Sequence, residues 1–375
     1  MKKPQKNLII MAAGGTGGHL FPAKVLAAEL KNRHYQVAFI SDKRAIPFRQ
    51  PEDKEDWYFI DSAGVVGIGI FKKINNLWKV FKGLRQAKKL LRLLQPAVVV
   101  GFGGYASFPT MRAAQSLGIP TVLHEQNAVF GRANRHLLAG ANIICLGLPQ
   151  ITNLPADYMS KMHVSGNPVR AEIIQAARHP YIKPQPAQAF HLLILGGSQG
   201  AQSFSRFIPP AIALLPLRLR QSLIITQQCR SEDLESVQNF YETLGLKANL
   251  GKFFQDVPAQ LATCQLLISR AGASTIAELC LVGRPALLIP LPSAADNHQE
   301  ANAQILVDSR AGWMMTESMI KASPEALAKK LQELMENPDE LSSRAERART
   351  LANDQAVHYL ANAVLSLISN QPHEE

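Results

Sequence analysis

Short apolar runs closed by glycine recur along the chain. "NLIIMAA" runs into "GGTGGH", and an apolar-periodic segment then continues to about Lys31. A continuous apolar run bounded by turn residues is the pattern of a strand buried on both faces, and the 3.6-residue period that follows is that of a helix packed against it. "QVAFISD" (Gln36 to Asp42) predicts a second strand. "PAVVVGFGGYASFP" repeats the first design, with a strand over Ala97 to Val100, a glycine turn and a helix from about Ser107. "IPTVLHEQN" and "ANIICLGL" predict two more strands. Strands alternating with helices predict a parallel sheet covered on both faces.

The proline-rich stretch Ala177 to Phe190 reads as a linker, and beyond it the opening pattern returns. "HLLILGGSQGAQSF" places Gly196, Gly197 and Gly200 after a strand, and "SLIITQ", "LLISRAG" and "PALLIPLP" predict later strands of a second half. Near the end, Val357, Leu360, Ala361, Val364 and Ile368 form one helical stripe. The fold class is therefore α/β, with two doubly wound domains that each open on strand, GGxxG and helix. A length of 375 residues agrees with two domains.

Charge sharpens the picture. The formal net charge is +11, which points to an anionic partner: nucleic acid, an acidic membrane surface or a phosphorylated substrate. The four cysteines are scattered and form no CxxC pair, so neither a zinc site nor a disulfide framework is expected, and a reduced cytoplasm fits. No apolar run approaches the ~18 residues of a membrane span. The N-terminal "MKKPQKNLIIMAAGG" has too short an apolar stretch for a signal peptide and reads as mature protein.

In open α/β sheets ligands bind beyond the carboxyl ends of the strands, where helix N-termini offer N–H groups and partial positive charge to anions. The turn Gly14 to Gly18 fits a phosphate there. It lacks the Gly-Lys-Ser/Thr of a Walker loop, and Leu20 stands where a dinucleotide fingerprint needs its third glycine. Asp42 could imitate a ribose-binding acid. His19 follows the turn at the start of a helix, where it reads either as a structural histidine or as a general base or hydrogen-bond donor.

Together, "GGTGGHLFPA", "GFGGYASFP", "HEQN", "GNPVR", "GGSQGA", "SRAGASTIAEL" and "DNHQEANA" resemble, in order, the motifs of the MurG family, from about Leu8 to about Ile368. That resemblance implies a GT-B fold: two Rossmann-like domains facing across a cleft. It divides the chain into an acceptor and membrane-facing domain over 1–168, joined by a returning helix over 351–369, and a UDP-sugar domain over 169–350. The implied reaction is inverting transfer of N-acetylglucosamine from UDP-N-acetylglucosamine to the C4 hydroxyl of an undecaprenyl-diphosphate-linked muramyl-pentapeptide, giving a β-1,4-linked disaccharide lipid for peptidoglycan. No cofactor and no metal are expected. The implied setting is peripheral, on the cytoplasmic face of the bacterial inner membrane, among other cell-wall synthesis proteins.

The resemblance also implies roles. Donor-binding residues are Thr16, Gly17, Gly18, Asn127, Arg170, Ser198, Phe254, Ala273, Ser274, Thr275, Ile276, Ala277, Glu278 and Gln299. Within that set Ser198 and Arg170 would meet the donor phosphates, Phe254 main chain the uracil, and Glu278 the ribose hydroxyls. Thr16, Gly17 and Gly18 with Gly103, Gly104 and Tyr105 would hold the acceptor diphosphate. His19 is the first candidate base; Glu125 and His124 are rivals.

"FKKINNLWKVFKGLRQAKKLLRLLQ" carries lysines and arginines but no acid. Ile74, Leu77, Trp78, Phe81 and Leu84 fall on one helical face. Such a helix reads either as packed on the sheet with a solvated basic rim or as a membrane-surface contact made by Ile68, Ile70, Lys72, Lys73, Trp78, Lys79 and Lys82. Three rival functions share parts of this pattern. The broken fingerprint argues against an NAD(P) oxidoreductase. The absence of a stacking-aromatic motif argues against a nucleic-acid partner. "HEQN" and "GGYASFP" favour the peptidoglycan enzyme over a diacylglycerol glycosyltransferase.

Overall fold

The computed structural model describes residues 5–15, 17–49, 55–64, 70–186, 188–197 and 200–369. The chain divides into two compact units, residues 1–170 with 354–375 and residues 171–353. The expected domain limits, after 168 and before 351, lie close to these.

In the first unit, seven parallel strands form one sheet. They are β1 (Gln5–Ala12), β2 (Gln36–Ser41), β3 (Asp56–Phe59), β4 (Pro96–Gly101), β5 (Thr121–Glu125), β6 (Ile143–Leu146) and β7 (Met162–Val164). Their order is β3-β2-β1-β4-β5-β6-β7, so the winding reverses between β1 and β4. Helices α1 (Gly17–Asn32), α2 (Ile70–Leu94) and α3 (Gly104–Ser116) are the main crossovers. β1 shows why the run is apolar throughout. Ile9 and Met11 pack with α1 on one face, while Leu8, Ile10 and Ala12 join the α2 and α3 side. The last helix, Ala356–Ser369, returns to the first unit and buries Leu360, Ala361 and Val364 beside α1. At its N-terminal end His358 Nδ1 meets Glu29 Oε1 at 2.9 Å, and Arg33 donates to Asn362 Oδ1 at 2.6 Å.

The second unit has six parallel strands: β8 (Phe190–Leu195), β9 (Leu223–Gln228), β10 (Ala248–Gly251), β11 (Leu266–Ser269), β12 (Ala286–Leu288) and β13 (Trp313–Met314). Their order is β10-β9-β8-β11-β12-β13, with the reversal between β8 and β11.

Two expectations change. The proline-rich stretch from Ala177 is strapped to the second unit rather than joining two domains. The buried Arg284 donates to the His179 carbonyl at 3.2 Å, Arg349 to the Ala177 carbonyl at 2.6 Å, and Tyr181 to the Gln265 carbonyl at 3.0 Å. The helix expected from about Ser107 begins at Gly104, so Tyr105 stands in its first turn rather than in a loop.

Candidate functional site

In the first unit two candidate turns meet at the point of reversal. β1 and β4 lie side by side with Ala12 opposite Gly101, and the Phe102 amide donates to the Ala12 carbonyl at 2.9 Å. Each strand therefore delivers its glycine turn to the same place, where a doubly wound sheet binds ligands. Gly103 and Gly104 have φ of +78° and +72°, a region that other residues rarely adopt. A Cβ on Gly104 would also stand 3.1 Å from His19 Nε2, so the bare backbone leaves room for the imidazole. His19, in the first turn of α1, is thus seated against the start of α3. Its Nδ1 lies 3.3 Å from Gln126 Oε1. Gly17 and Gly18 open α1, with no acidic residue in its first turn. Thr16 lies outside the described residues.

Glu125 and His124, the rival bases, are buried. The Glu125 carboxylate accepts from the Asn127 amide at 3.1 Å, Asn127 Nδ2 at 3.2 Å, the Gly131 amide at 3.0 Å and Asn134 Nδ2 at 2.9 Å. Those bonds fold the loop that carries Asn127. His124 stacks at a tilt on Phe102 and is fully buried, which holds its pKa down to about 4.

Tyr105 is 41% exposed and carries the Arg44 guanidinium over its ring, 4.3 Å from the centroid, with Arg44 also bonded to the phenol oxygen. Arg44 Nε reaches Asp42 Oδ2 at 3.0 Å, and Asp42 accepts from the Arg44 amide as the cap of a 3₁₀ turn. Asp42 is thereby engaged by its own loop, unlike a ribose-binding acid. Arg170 closes the first unit, its guanidinium 5.3 Å from the Phe21 ring. The family resemblance expects Arg170 in the second domain, two residues past the expected limit at 168.

In the second unit the same logic brings the β8 and β11 turns together. Gly197 and Gly200 have φ of +86° and +68°, and Gln228 Oε1 accepts from the Gly196 amide at 3.0 Å. Ser198 lies outside the described residues. Beyond β11, Arg270 is buried and donates to the carbonyls of Ile289 at 3.0 Å and Pro290 at 3.1 Å, to Ser203 Oγ at 2.8 Å and to Glu317 Oε1 at 2.6 Å. Gln299 Oε1 accepts from the Ala271 amide at 3.2 Å and the Leu291 amide at 2.9 Å, and Asn302 Nδ2 donates to the Ala271 carbonyl at 3.0 Å. This scaffold aims the helix Ala273–Val282, which begins at Gly272 with no side-chain cap.

On that helix Ala273, Ile276, Leu279 and Cys280 are buried, while Ser274, Thr275, Ala277 and Glu278 remain partly exposed. Ile276 therefore offers a ligand only its main chain. Ser274 and Glu278 are one turn apart, so they share a face. Among the described residues Ser274 Oγ is buried with no hydrogen-bond partner, which leaves a donor for an incoming oxygen. Phe254 follows β10 and is half-buried against Gly251. Arg270, Glu317 and Gln126 were not singled out from the sequence. Arg270 and Gln126 lie inside quoted motifs, but Glu317 carries no local signal.

α2 divides along its length. Gly83, Ala87 and Leu91 are buried, with Leu84 packed behind them, whereas Ile74, Leu77, Trp78 and Phe81 are 63%, 52%, 63% and 45% exposed. The apolar stripe foreseen in the sequence thus packs only from Leu84 onward. Lys79 is exposed, and Lys82 pairs with Asp61 at 2.8 Å. Ile68 lies outside the described residues, as do the side chains of Ile70, Lys72 and Lys73. Among the described residues no helix is long and apolar enough to cross a membrane, and no cluster of His, Cys, Asp and Glu is placed to hold a metal ion.

Two parallel-sheet units, each with glycine turns at its reversal point, are the architecture of the GT-B glycosyltransferases, the class to which the family models assign this chain. Residues 9–144 match the profile of the glycosyltransferase family 28 N-terminal domain, and residues 191–360 that of the family 28 C-terminal domain. The UDP-N-acetylglucosamine–N-acetylmuramyl-(pentapeptide) pyrophosphoryl-undecaprenol N-acetylglucosamine transferase of Paramagnetospirillum magneticum is 43% identical over 98% of each chain. The Brucella suis protein of the same name is 41% identical over 99% of this chain and 97% of its own. The crystal structure of Acinetobacter baumannii MurG superposes with a TM-score of 0.77 at 30% identity, covering 96% of this chain and 99% of that one. The kitacinnamycin glycosyltransferase, at 16% identity and TM-score 0.66, shares the fold. The chain belongs to the MurG family.

Proposed function

We propose that this enzyme transfers N-acetylglucosamine from its UDP ester to the C4 hydroxyl of an undecaprenyl-diphosphate-linked muramyl-pentapeptide, with inversion. The observation that carries the assignment of chemistry is the seat of His19, at the reversal point of the first sheet and against the glycine-bounded start of α3. There the acceptor diphosphate would rest on the N-termini of α1 and α3, and the imidazole would take the proton of the attacking hydroxyl.

The donor belongs to the second unit. Glu278 would accept from both ribose hydroxyls, and the Ala273–Thr275 turn with the Gly196–Gly200 turn would hold the diphosphate. UDP departs as an anion, so the fixed N–H dipoles of those turns would stabilise charge as it develops. Glu125 is better suited to ordering the Asn127 loop than to accepting a proton, because its oxygens already accept four bonds.

A peripheral site on the cytoplasmic face of the inner membrane suits a lipid-linked acceptor. The exposed apolar face of Ile74, Leu77, Trp78 and Phe81, ringed by lysine and arginine, supports docking through the outer half of α2. The test is a screen of UDP-sugars with a polyprenyl-diphosphoryl-muramyl-peptide acceptor, scored for UDP release and for the disaccharide lipid. Release of UDP without the disaccharide, or preference for another sugar or acceptor, would refute the proposal.

A further inference from the structure

The His19 ring is tied to His124 through the side-chain amide of Gln126, and the bonds have only one consistent direction. His124 Nε2 lies 3.1 Å from the Gly166 carbonyl oxygen, which can only accept, so Nε2 carries a proton. His124 is fully buried and its pKa is held down to about 4, so the ring is neutral and Nδ1 bears a lone pair. Gln126 Nε2 stands 3.0 Å from that Nδ1 and donates to it, with the His124 carbonyl at 3.3 Å for its other hydrogen. Turned over, the amide would set oxygen against a lone pair. Gln126 Oε1 is therefore the atom 3.3 Å from His19 Nδ1, and an amide oxygen can only accept. His19 donates from Nδ1, so in the neutral ring Nε2 carries the lone pair.

We propose that Gln126, locked by His124 and the Gly166 carbonyl, is a positioning residue that holds His19 in the Nδ1–H tautomer and so presents Nε2 as the base. The inference rests on the reading of His19 as the base. As the acceptor oxygen bonds to the anomeric carbon, the bond to UDP breaks with its electron pair, and the hydroxyl proton passes to His19 Nε2. The opposite tautomer would put a hydrogen where that proton must arrive. Gln126 is 2% exposed, so water does not compete for its amide. The neutral amide orients the ring without adding a charge.

The test is a long-range ¹⁵N–¹H correlation spectrum of the histidine-labelled enzyme, at a pH where His19 is neutral, with its signals assigned by their loss in His19→Ala. The expected result is a protonated Nδ1 and an unprotonated Nε2. A protonated Nε2, or averaged shifts, overturns the relay, and the reading is taken on the wild-type enzyme. Gln126→Met keeps the side chain's length but removes both polar atoms. It should release the tautomer and lower kcat about 10-fold or more, a part of what a general base contributes, with KM for UDP-N-acetylglucosamine nearly unchanged. Wild-type kcat in a folded Gln126→Met enzyme would overturn the proposal. Nδ1–H in the wild type together with near-normal turnover in His19→Ala would instead refute the base reading and, with it, a catalytic use of the relay.

Discussion

Arg270 holds Glu317 across the second unit, Nη2 to Oε1 at 2.6 Å, with both side chains less than a tenth exposed. Burial raises the Glu317 pKa, but hydrogen bonds from Ser203 and Arg270 outweigh it and leave the carboxyl below its usual value. Arg270 begins the turn into the helix that carries Glu278, so the pair reaches the proposed donor site through the backbone.

Removing Glu317 leaves the Arg270 guanidinium buried with neutral acceptors only, the Ile289 and Pro290 carbonyls and Ser203 Oγ. Glu317→Ala should cost about 3–5 kcal/mol of stability and weaken UDP binding by loosening the turn. Thermal unfolding and calorimetry with UDP measure the two effects. An unshifted melting temperature would show that the pair contributes nothing.

Glu278→Ala should weaken UDP binding by about 1.5–3 kcal/mol, the range for hydrogen bonds to a charged group. Because the side chain is partly exposed, stability should change little. Unchanged affinity for UDP removes Glu278 from the site.

His19→Ala should lower kcat about 10²–10⁴-fold while donor affinity stays close to wild type. Single-turnover rates alongside UDP titration separate the two. A variant that turns over normally places the base elsewhere.

Lys72→Gln, Lys73→Gln and Lys79→Gln together should release the enzyme from anionic vesicles, at about 1 kcal/mol for each charge. Lys82 and Asp61 form a locally neutral pair, and the bond from Lys82 holds the Asp61 carboxyl below its usual pKa. The double variant Lys82→Gln with Asp61→Asn should therefore bind vesicles as the wild type does. Sedimentation at low salt decides, and equal binding by the triple variant would sink electrostatic docking here.

The seam between α1 and the last helix should respond to acid. Burial raises the Glu29 pKa, but bonds from Arg33 and His358 outweigh it, and the carboxyl lies below the usual glutamate range. A depressed carboxylate contributes stability above its unfolded pKa and loses it as pH falls through the folded value. Glu29→Gln should thus lower the melting temperature at neutral pH, with the difference from wild type shrinking below about pH 4. A difference that is constant with pH would exclude a role for the charge.

The strands legible in the sequence are those flanked on both sides in their sheets. β1, β2, β4, β5, β6, β8, β9, β11 and β12 lie inside, and their buried faces make continuous apolar runs. The four unforeseen strands, β3, β7, β10 and β13, are the sheet edges. They are short, and "DWYF" or "MHV" carries too little pattern to separate from a loop. The glycine turns were visible because their backbone needs limit the residues that fit. Gln126 and Glu317 were not legible as partners, since their roles depend on residues distant in sequence. Gln299 was foreseen as a ligand contact, yet its oxygen braces two amides of the turn.

The helix Ala356–Ser369 has a consequence for how the protein is made. The first unit receives Leu360, Ala361 and Val364 from the far end of the chain. A ribosome releases the N-terminal sheet long before these residues, so until translation nears its end the strip of that sheet beside α1 is left uncovered. The second unit, whose residues are continuous in sequence, can close while the first is still waiting. The half synthesised first is thus the last to be completed, and a nascent chain stalled before residue 356 would expose an apolar strip on it.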